Sequence, residues 1–353
     1  NSTDGVAIRS GAQSNKVGGI VVAARNIISG NNNDGVWITG SGTESNSVQG
    51  NWIGFGSDGS SIGNSFHGVA VENDASNNLI GGTLVTQANR IGNSAWDGVA
   101  VAGGFGAGNA IIGNSIVDNL GLGIDFENDG ITPNDVIPGD GDSGPNGLLN
   151  FPVIISATES GGIVTLTGVF DVPAGDYRFE FFKNPSGADL SGNGEGETLV
   201  GSTPLTHTAF IGGEPWGAAF PGAVGDVITA TITECTDAGC TAFLSTSEFS
   251  AAVTVTSVNT APVLDPVGAQ SGDEGTLITF AATASDSDVP ANTLTFTLED
   301  GAGLVPLGAS ITAGGLFTFT PSEAQGPGVY SFEVVVTDDG TGLLEDRETI
   351  TVT

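Results

Sequence analysis

The chain has 353 residues, of which 40 are acidic and 7 basic, and its formal net charge is -33 at pH 7. This charge repels phosphate backbones and anionic lipid, which excludes nucleic-acid and membrane-surface binding through a basic patch. The longest apolar run, residues 19–24, is far shorter than the roughly 18 residues of a membrane-spanning helix, so no membrane insertion is expected. Hydrophobic residues make up 39% of the chain, which indicates folded domains, two or three at this length.

The composition also bears on where the protein works. The sequence lacks Met and begins with Asn1, with no signal peptide before it, so we expect a processed piece of a longer, secreted precursor. An excess of carboxylates this large needs compensation, and calcium held by oxygen ligands is the physical candidate. We therefore expect an extracellular or cell-surface protein that binds calcium.

The first third of the sequence repeats with a spacing of about 21 residues. Aliphatic residues recur at this spacing, and Gly and Asn, which suit turns, keep the same register. Short apolar stretches between the turns have strand character, whereas a helix would show a 3.6-residue period. The pattern predicts an all-β fold that starts with a parallel β-helix of about six coils, with about 21 residues per coil. The recurring aliphatic residues are Val6, Ile27, Val48, Val69, Ile91 and Ile112.

Asn-rich strings at residues 26–31, 49–54 and 109–116 resemble the right-handed parallel β-helix of bacterial cell-surface proteins. The resemblance covers residues 1–128 and implies the fold, but that solenoid hosts lyases, hydrolases, adhesins and structural proteins alike. The sequence starts inside a coil, and an uncovered coil end exposes unpaired strand edges. We expect either further coils upstream or a second copy on this end, which would give head-to-tail self-association and a filament.

An acidic, glycine-rich connector is predicted at residues 129–150. Its Asp and Asn residues alternate with glycines, which is how a calcium loop places its oxygen ligands; a solvated acidic linker is the alternative. The predicted calcium ligands of the connector are Asp135, Asp140, Asp142 and Asn146.

Residues 151–257 contain alternating strands separated by Gly and Pro turns, which is typical of an antiparallel β-sandwich. Within it, Asp189, Asn193 and Glu195 resemble the start of an EF-hand calcium loop without its last Glu, and an ordinary polar loop is the alternative. Cys235 and Cys240 flank a four-residue loop. This spacing predicts a hairpin disulfide, with a reduced pair as the alternative, because a zinc site would need a second ligand pair.

Residues 258–353 have the strand count of an Ig-like domain and resemble the cadherin-like domains of bacterial surface proteins. In that family the matching residues hold calcium at the junction with the preceding domain, so the resemblance implies a calcium site. The preceding sandwich does not resemble a cadherin repeat, which leaves the rest of the ligand shell unassigned. The residues that carry the resemblance are Asn259, Asp286, Asp288, Asn292 and Asp338.

One pair of carboxylates in the coil region is a catalytic candidate. With 21 residues per coil, Asp97 and Asp118 would lie on adjacent coils about 4.8 Å apart, as a proton-sharing dyad, a metal site or two turn carboxylates. We favour turn carboxylates, because Asp97 precedes a Gly-Val turn and no basic residue is expected near it. His67 occupies the equivalent turn position and is expected at the surface. We therefore predict that the protein is not an enzyme.

Trp37, Trp52 and Trp96 are candidates for stacking on sugar rings of an extracellular polysaccharide, and partial burial against a loop or subunit is the alternative. The sequence as a whole predicts a structural subunit of an extracellular filament, surface layer or adhesin stalk, stiffened by calcium and assembled with copies of itself. The alternative function is that of a carbohydrate-binding or polysaccharide-degrading β-helix protein.

Overall fold

In its computed structural model, the described part of the protein is all-β apart from two short 3₁₀-helices. None of the described helices has the length and apolar character needed to cross a membrane. The chain divides between Val255 and Thr256 into two compact units. The structure describes residues 2–135, 139–208 and 213–353, and the 3₁₀-helices are Val22–Ala24 and Pro145–Leu148.

Three short segments of the predicted domains lie outside the described residues. These are Asn1 of the coil region, residues 136–138 of the connector and residues 209–212 of the sandwich.

The first unit begins with thirteen short strands, and we call this region the coil stack. The chain visits three parallel sheets in turn, and each strand pairs with the strand one circuit further along. The strands are β1 (Val6–Arg9), β2 (Lys16–Gly18), β3 (Ile27–Ile28), β4 (Val36–Thr39), β5 (Ser47–Gln49), β6 (Trp52–Ile53), β7 (Val69–Glu72), β8 (Leu79–Gly81), β9 (Arg90–Gly92), β10 (Val99–Ala102), β11 (Ala110–Ile112), β12 (Ser115–Val117) and β13 (Ile124–Phe126). The sheet orders are β1-β4-β7-β10-β13, β2-β5-β8-β11 and β3-β6-β9-β12.

One circuit of the coil stack takes more residues than the sequence repeat predicts. In the first sheet Val6 pairs with Val36, Val36 with Val69, Val69 with Val99, and Val99 with Ile124. The circuits are therefore 30, 33, 30 and 25 residues long, and five strands of the first sheet define four circuits rather than six. The predicted length of 21 residues per coil is wrong.

The error has a simple geometric cause. Val6 lies in the first sheet, Ile27 in the third and Val48 in the second, so a step of 21 residues advances the chain by two sheets. Three such steps lead from Val6 to Val69, which is two circuits away. Each strand and its turn look alike in sequence on all three sheets, so the repeat reports the strand-and-turn step and not the circuit.

The interior of the coil stack is filled by β-branched side chains. Val36, Val69 and Val99 of the first sheet are completely buried, as are Val48 and Ile80 of the second. Burial of each such side chain contributes about 1.5–3 kcal/mol. Because the rows run along the stack, every circuit buries the apolar face of its neighbours.

The rest of the first unit is an antiparallel sandwich with an aromatic core. Phe179 and Phe181 pack against Trp216 with ring centroids 5.3 and 5.4 Å away, and Phe220 continues the cluster. The strands are β14 (Val153–Ser160), β15 (Ile163–Phe170), β16 (Gly175–Lys183), β17 (Thr198–His207), β18 (Glu214–Pro221), β19 (Val227–Cys235), β20 (Phe243–Thr246) and β21 (Val253–Thr254). One sheet contains β14, β15 and β18, and the other contains β17, β16, β19 and β20, with β21 on β19.

The second unit has its own apolar core, centred on Phe317, Phe319 and Phe332. Its sheets are antiparallel: β24-β28-β27, β26-β29-β30 and the pair β23-β25. The strands are β22 (Thr256–Ser257), β23 (Val263–Leu264), β24 (Ile278–Ala281), β25 (Ala284–Ser285), β26 (Thr295–Glu299), β27 (Ser310–Ile311), β28 (Leu316–Phe319), β29 (Tyr330–Thr337) and β30 (Glu345–Val352).

Candidate functional site

Buried asparagines hold the turns of the coil stack together. Along a row the backbone N–H and the side-chain Nδ2 of one asparagine both donate to Oδ1 of the next asparagine, as Asn46 does to Asn78 at 3.1 and 3.0 Å. At Asn109 only the backbone N–H reaches Asn146 Oδ1. Buried main-chain N–H groups need such partners, because leaving one unpaired costs about 1–3 kcal/mol. The two longest rows are Asn15-Asn46-Asn78-Asn109-Asn146 and Asn26-Asn51-Asn89-Asn114.

The last circuit of the coil stack is closed by the sandwich of the same unit. Three glutamates accept its free backbone N–H groups: Glu180 from Gly113 at 2.7 Å, Glu195 from Asn119 at 3.0 Å and Glu248 from Phe126 at 2.7 Å. Thr246 Oγ1 and the carbonyl of Gly196 take the N–H groups of Ile111 and Ile116. We call this set of contacts the stack closure.

Aromatic side chains complete the stack closure. Phe182 and Phe249 of the sandwich belong to the apolar core of the coil stack and meet edge to face, with centroids 5.3 Å apart. Two aromatic residues of the sandwich therefore complete the core of the coil stack, while the sandwich keeps a separate core of its own.

Burial strongly affects the carboxyl groups of the stack closure. It raises the pKa of Glu195 and of Glu248 to about 7, and it raises the pKa of Glu180 as well, against the opposing effect of Arg178. Asp125, next to Phe126, has its pKa raised to about 7 by burial and by the neighbouring charge of Asp97. Hydrogen bonds from the backbone offset only part of this desolvation.

The stack closure changes two expectations from the sequence. Head-to-tail assembly needs both ends of the stack, but the chain's own sandwich covers the last circuit. Asn146, predicted as a calcium ligand, is instead the final member of an asparagine row, with Oδ1 on the Asn109 N–H and Nδ2 on the carbonyls of Asn109 and Thr246.

In the loop predicted to resemble an EF-hand, Asp189, Asn193 and Glu195 form hydrogen bonds within the chain. Glu195 Oε1 accepts from both N and Nδ2 of Asn119, so it serves the stack closure. Asn193 donates to the carbonyl of Phe249, and Asp189 Oδ1 caps the N–H of Ser191. Each of these three side chains therefore already has a hydrogen-bond partner within the chain.

The connector does bring predicted ligands together. Asp135, Asp140 and Asp142 each offer a carboxylate oxygen, and these oxygens lie within 4.8 Å of one another. Asp140 Oδ1 is buried and has no hydrogen-bond partner among the described residues. Burial, together with Asp142 and Asp135, raises the pKa of Asp140 to about 7, as expected for carboxylates crowded without a cation.

In the second unit the predicted ligands also lie close together, but they bind one another. Asn259 Nδ2 donates to Asp338 Oδ2 at 3.0 Å, and Asn292 Nδ2 donates to Asp288 Oδ2 at 3.0 Å and to Asn259 Oδ1 at 2.6 Å. Asp286 Oδ1 accepts the N–H of Asp288, while its Oδ2 is buried without a described partner. Most oxygens of this cluster are already occupied by N–H donors.

The suspected carboxylate pair of the coil region does not form. Asp97 lies on the circuit before Leu122, whose N–H it accepts at 2.8 Å, whereas the pairing of Val117 with Gly92 places Asp118 level with Asn93. His67, expected at the surface, is only 4% exposed, and its Nδ1 is 3.1 Å from Asp97 Oδ2. The neighbour of Asp97 is thus a histidine that the sequence pattern had placed at the surface.

His67 belongs to another row of polar side chains along the stack. Asp4 accepts the N–H of Asp34, Asp34 that of His67, and His67 Nδ1 that of Asp97 at 3.3 Å. Like the asparagine rows, this row supplies side-chain acceptors for backbone N–H groups of the next circuit, which gives His67 and the aspartates a structural role.

The three tryptophans of the coil stack have different surroundings. Trp37 donates from Nε1 to Glu72 at 2.8 Å. Trp52 lies under two arginines, and Trp96, 48% exposed, stacks on Phe66 with centroids 5.7 Å apart. Of the three, only Trp96 presents a largely exposed indole for contact with a partner.

The predicted disulfide between Cys235 and Cys240 is confirmed. Sequence reasoning missed Glu180 and Glu248 of the stack closure, and it gave Glu195 a different role, that of a calcium ligand. The three glutamates lie 67 to 122 residues from the groups that they cap, and only Glu180 lies in a strand, β16, between apolar residues.

Comparison with known proteins concerns mainly the second unit. Residues 259–353 match the family model of the bacterial Ig domain. This match supports the Ig-like part of the resemblance and agrees with a surface or extracellular protein. No curated protein matches the sequence.

Solved structures of cadherins and of immunoglobulin domains resemble the chain loosely. Drosophila N-cadherin EC1-4 is 14% identical with a TM-score of 0.24, covering 57% of this chain and 50% of its own. Mouse cadherin-23 EC22-24 is 17% identical with a TM-score of 0.25, covering 65% and 67%. Sidekick-1 immunoglobulin domains 1-5 are 12% identical with a TM-score of 0.29, covering 65% and 42%. The chain spans half or less of the N-cadherin and Sidekick-1 structures.

Proposed function

We propose that the protein is a structural subunit of an extracellular filament, surface layer or adhesin stalk, in which a right-handed parallel β-helix forms a stiff module. The observation that carries this proposal is the stack closure. Because Glu180, Glu195 and Glu248 satisfy the last circuit and Phe182 and Phe249 fill its interior, stack and sandwich bend or unfold only together. The Ig-type domain that follows is a common spacer in surface proteins, which agrees with this role.

Calcium is the second part of the proposal. Asp135, Asp140 and Asp142 would hold the ion, since three carboxylates converge and the buried Asp140 Oδ1 lacks a partner among the described residues. A bound cation would cancel the repulsion among these groups and fix the connector against the sandwich, to which Asn150 ties it through the carbonyl of Asp171. The cluster around Asn259 fits less well, because its amide donors already fill most carboxylate oxygens.

Self-association is the third part. The covered last circuit removes end-to-end stacking of coil stacks as the mode of assembly. Contact between copies must therefore use lateral surfaces of the units or the first circuit.

Electron microscopy in calcium and after chelation tests the function directly. Ordered filaments or sheets that lose order after chelation are the expected result. Single, monodisperse particles in both conditions, at concentrations up to about 100 μM, would contradict self-assembly as the function. Ordered assemblies that chelation leaves unchanged would contradict the role of calcium alone.

A further inference from the structure

Two arginines cover one tryptophan on the outer face of the third sheet. The guanidinium carbon of Arg25 is 4.6 Å from the Trp52 ring centroid, and that of Arg90 is 5.9 Å from it and 3.8 Å from the ring of Phe55. Trp52 and Arg90 are direct neighbours in the strand register, and Arg25 lies just before β3. Stacking on aromatic rings holds a guanidinium in place while its edge N–H groups stay free.

Neither guanidinium is neutralised by an ion pair within the described part of the chain. The ion pairs found there involve Arg178, Lys183, Arg347 and the two histidines, and none involves Arg25 or Arg90. Arg25 donates one hydrogen bond within the chain, from Nε to the carbonyl of Gly50 at 3.3 Å. With 40 acidic residues in the chain, two stacked arginines without a carboxylate partner are an unusual arrangement.

Charge is distributed unevenly along the chain. Residues 1–125 contain 9 acidic and 4 basic residues, whereas residues 126–353 contain 31 acidic and 3 basic residues. The coil stack therefore carries little of the net charge, and the remainder of the chain is a dense source of carboxylates. The two parts have complementary character for contact between copies.

Exposed apolar side chains surround the two arginines. The loop of residues 19–24 precedes Arg25 and exposes Ile20, Val21 and Val22, and the loop of residues 82–88 precedes Arg90 and exposes Leu84 and Val85. Both loops reach the same corner, because a Cβ on Gly50 would lie 2.4 Å from the carbonyl oxygen of Gly19 and 2.8 Å from that of Thr86. Exposed aliphatic residues around a Trp and two Arg are typical of a protein interface.

We propose that this surface, the Arg25-Trp52-Arg90 patch with its two apolar loops, is the contact by which one copy binds the carboxylate-rich part of a second copy. The proposal rests on the self-assembly part of the proposed function and gives it a surface. Each guanidinium forms charge-assisted hydrogen bonds with a carboxylate of the second copy, while the aliphatic loops exclude water from the contact. Because the patch lies in the coil stack and the acidic surface elsewhere, the contact is heterologous and adds copies in a row.

Sedimentation velocity of the full chain, over a concentration series at 50 mM and 300 mM NaCl, tests the proposal. The double variant Arg25→Ala/Arg90→Ala is compared with Arg9→Ala/Lys16→Ala, which removes the same charge from exposed positions of the coil stack. We expect the first variant to lower the association constant at least about tenfold and the control to change it less than about twofold. The wild-type constant should also fall at higher salt.

Further measurements separate the possible failures. Tryptophan fluorescence during denaturation shows whether each variant is folded, and Arg25→Lys/Arg90→Lys, which keeps charge without planar stacking, should lie between wild type and the alanine variant. If the Arg25→Ala/Arg90→Ala variant assembles as well as the wild type, the patch is overturned but the proposed function stays intact. A wild-type chain that never assembles would overturn both. If the wild type stays monomeric and binds polygalacturonate saturably, and the alanine variant does not, the partner of the patch is an acidic glycan and not a second copy.

Discussion

The coil stack and the second unit solve the burial of polar groups in opposite ways. The coil stack buries rows of asparagine, aspartate and histidine at its turns and closes its last circuit with ionisable glutamates. The second unit buries mainly phenylalanine and valine and lets antiparallel pairing satisfy its backbone. The stack therefore depends on each neighbouring circuit and on the sandwich, whereas the second unit depends on itself.

Breaking one asparagine row should produce the largest effect. Asn78→Ala removes the acceptor of Asn46 and a donor to Thr43 and Asn109, all buried. We expect the free energy of unfolding of the first unit to fall by about 3 kcal/mol. All four tryptophans lie before Val255, so tryptophan fluorescence reports this unit alone.

Asn32→Ala is the matched control for that variant, because Asn32 is exposed and outside the rows. It should change the free energy of unfolding by less than about 0.5 kcal/mol. Equal losses in the two variants would show that the rows do not stabilise the stack.

The next largest effect should come from calcium, which we expect to stabilise the first unit and not the second. At a concentration about 100 times its dissociation constant, calcium should stabilise the first unit by about 2.7 kcal/mol through Asp135, Asp140 and Asp142, seen as a higher Tm by tryptophan fluorescence. Asp140→Asn should abolish the shift, and Asp129→Asn, an exposed aspartate of the connector, should retain it.

Calorimetry follows the second unit in the same experiment. A calcium-dependent shift of a transition that tryptophan fluorescence does not follow would place the ion in the Asn259 cluster instead. No shift in either measurement would exclude a calcium site of this strength.

The stack closure predicts how stability depends on pH. The unfolded chain releases the Glu195 proton near the ordinary glutamate pKa of 4.5, whereas the folded chain keeps it to about 7. In this interval the folded state binds more protons, so the contribution of Glu195 to the free energy of unfolding is greatest below pH 4.5 and falls as pH rises to about 7.

Glu195→Gln keeps an acceptor for Asn119 but cannot ionise. We expect it to stabilise the first unit by about 2 kcal/mol at pH 8 and to have little effect near pH 5, measured by urea denaturation at both values. Glu197→Gln, the same charge change two residues away, should show no such pH dependence. A variant destabilised equally at pH 5 and pH 8 would contradict burial of an ionisable closure.

The smallest predicted effect comes from a substitution that completes an interrupted row of polar side chains. Ser94 interrupts a row between Asn64 and Asn119, and both Ser94 Oγ and Asn64 Nδ2 are buried without a described partner. Ser94→Asn should restore the missing acceptor and raise the free energy of unfolding by about 1 kcal/mol. A loss of stability would show that the stack has no room for the larger side chain.

Local pattern in the sequence was enough to predict an all-β chain with parallel pairing of short strands, turn asparagines and the disulfide. The calcium role of Asp135, Asp140 and Asp142 stays a prediction. Local pattern was not enough for the circuit length, because three sheets with similar strand-and-turn steps make the pattern of Val6, Ile27 and Val48 repeat before a circuit is complete. The stack closure could not be predicted either. Glu248 reaches Phe126 across 122 residues, and no local spacing encodes such a contact.

The central claim, that the sandwich closes the coil stack, is tested most directly by hydrogen exchange of the intact chain measured by mass spectrometry. We predict that the amides of Gly113, Asn119 and Phe126 exchange as slowly as those of the buried strand β7, while amides of β1 at the opposite end exchange faster. Glu248→Ala should speed exchange at Phe126 first. Exchange at Gly113, Asn119 and Phe126 as fast as in β1 would contradict the closure.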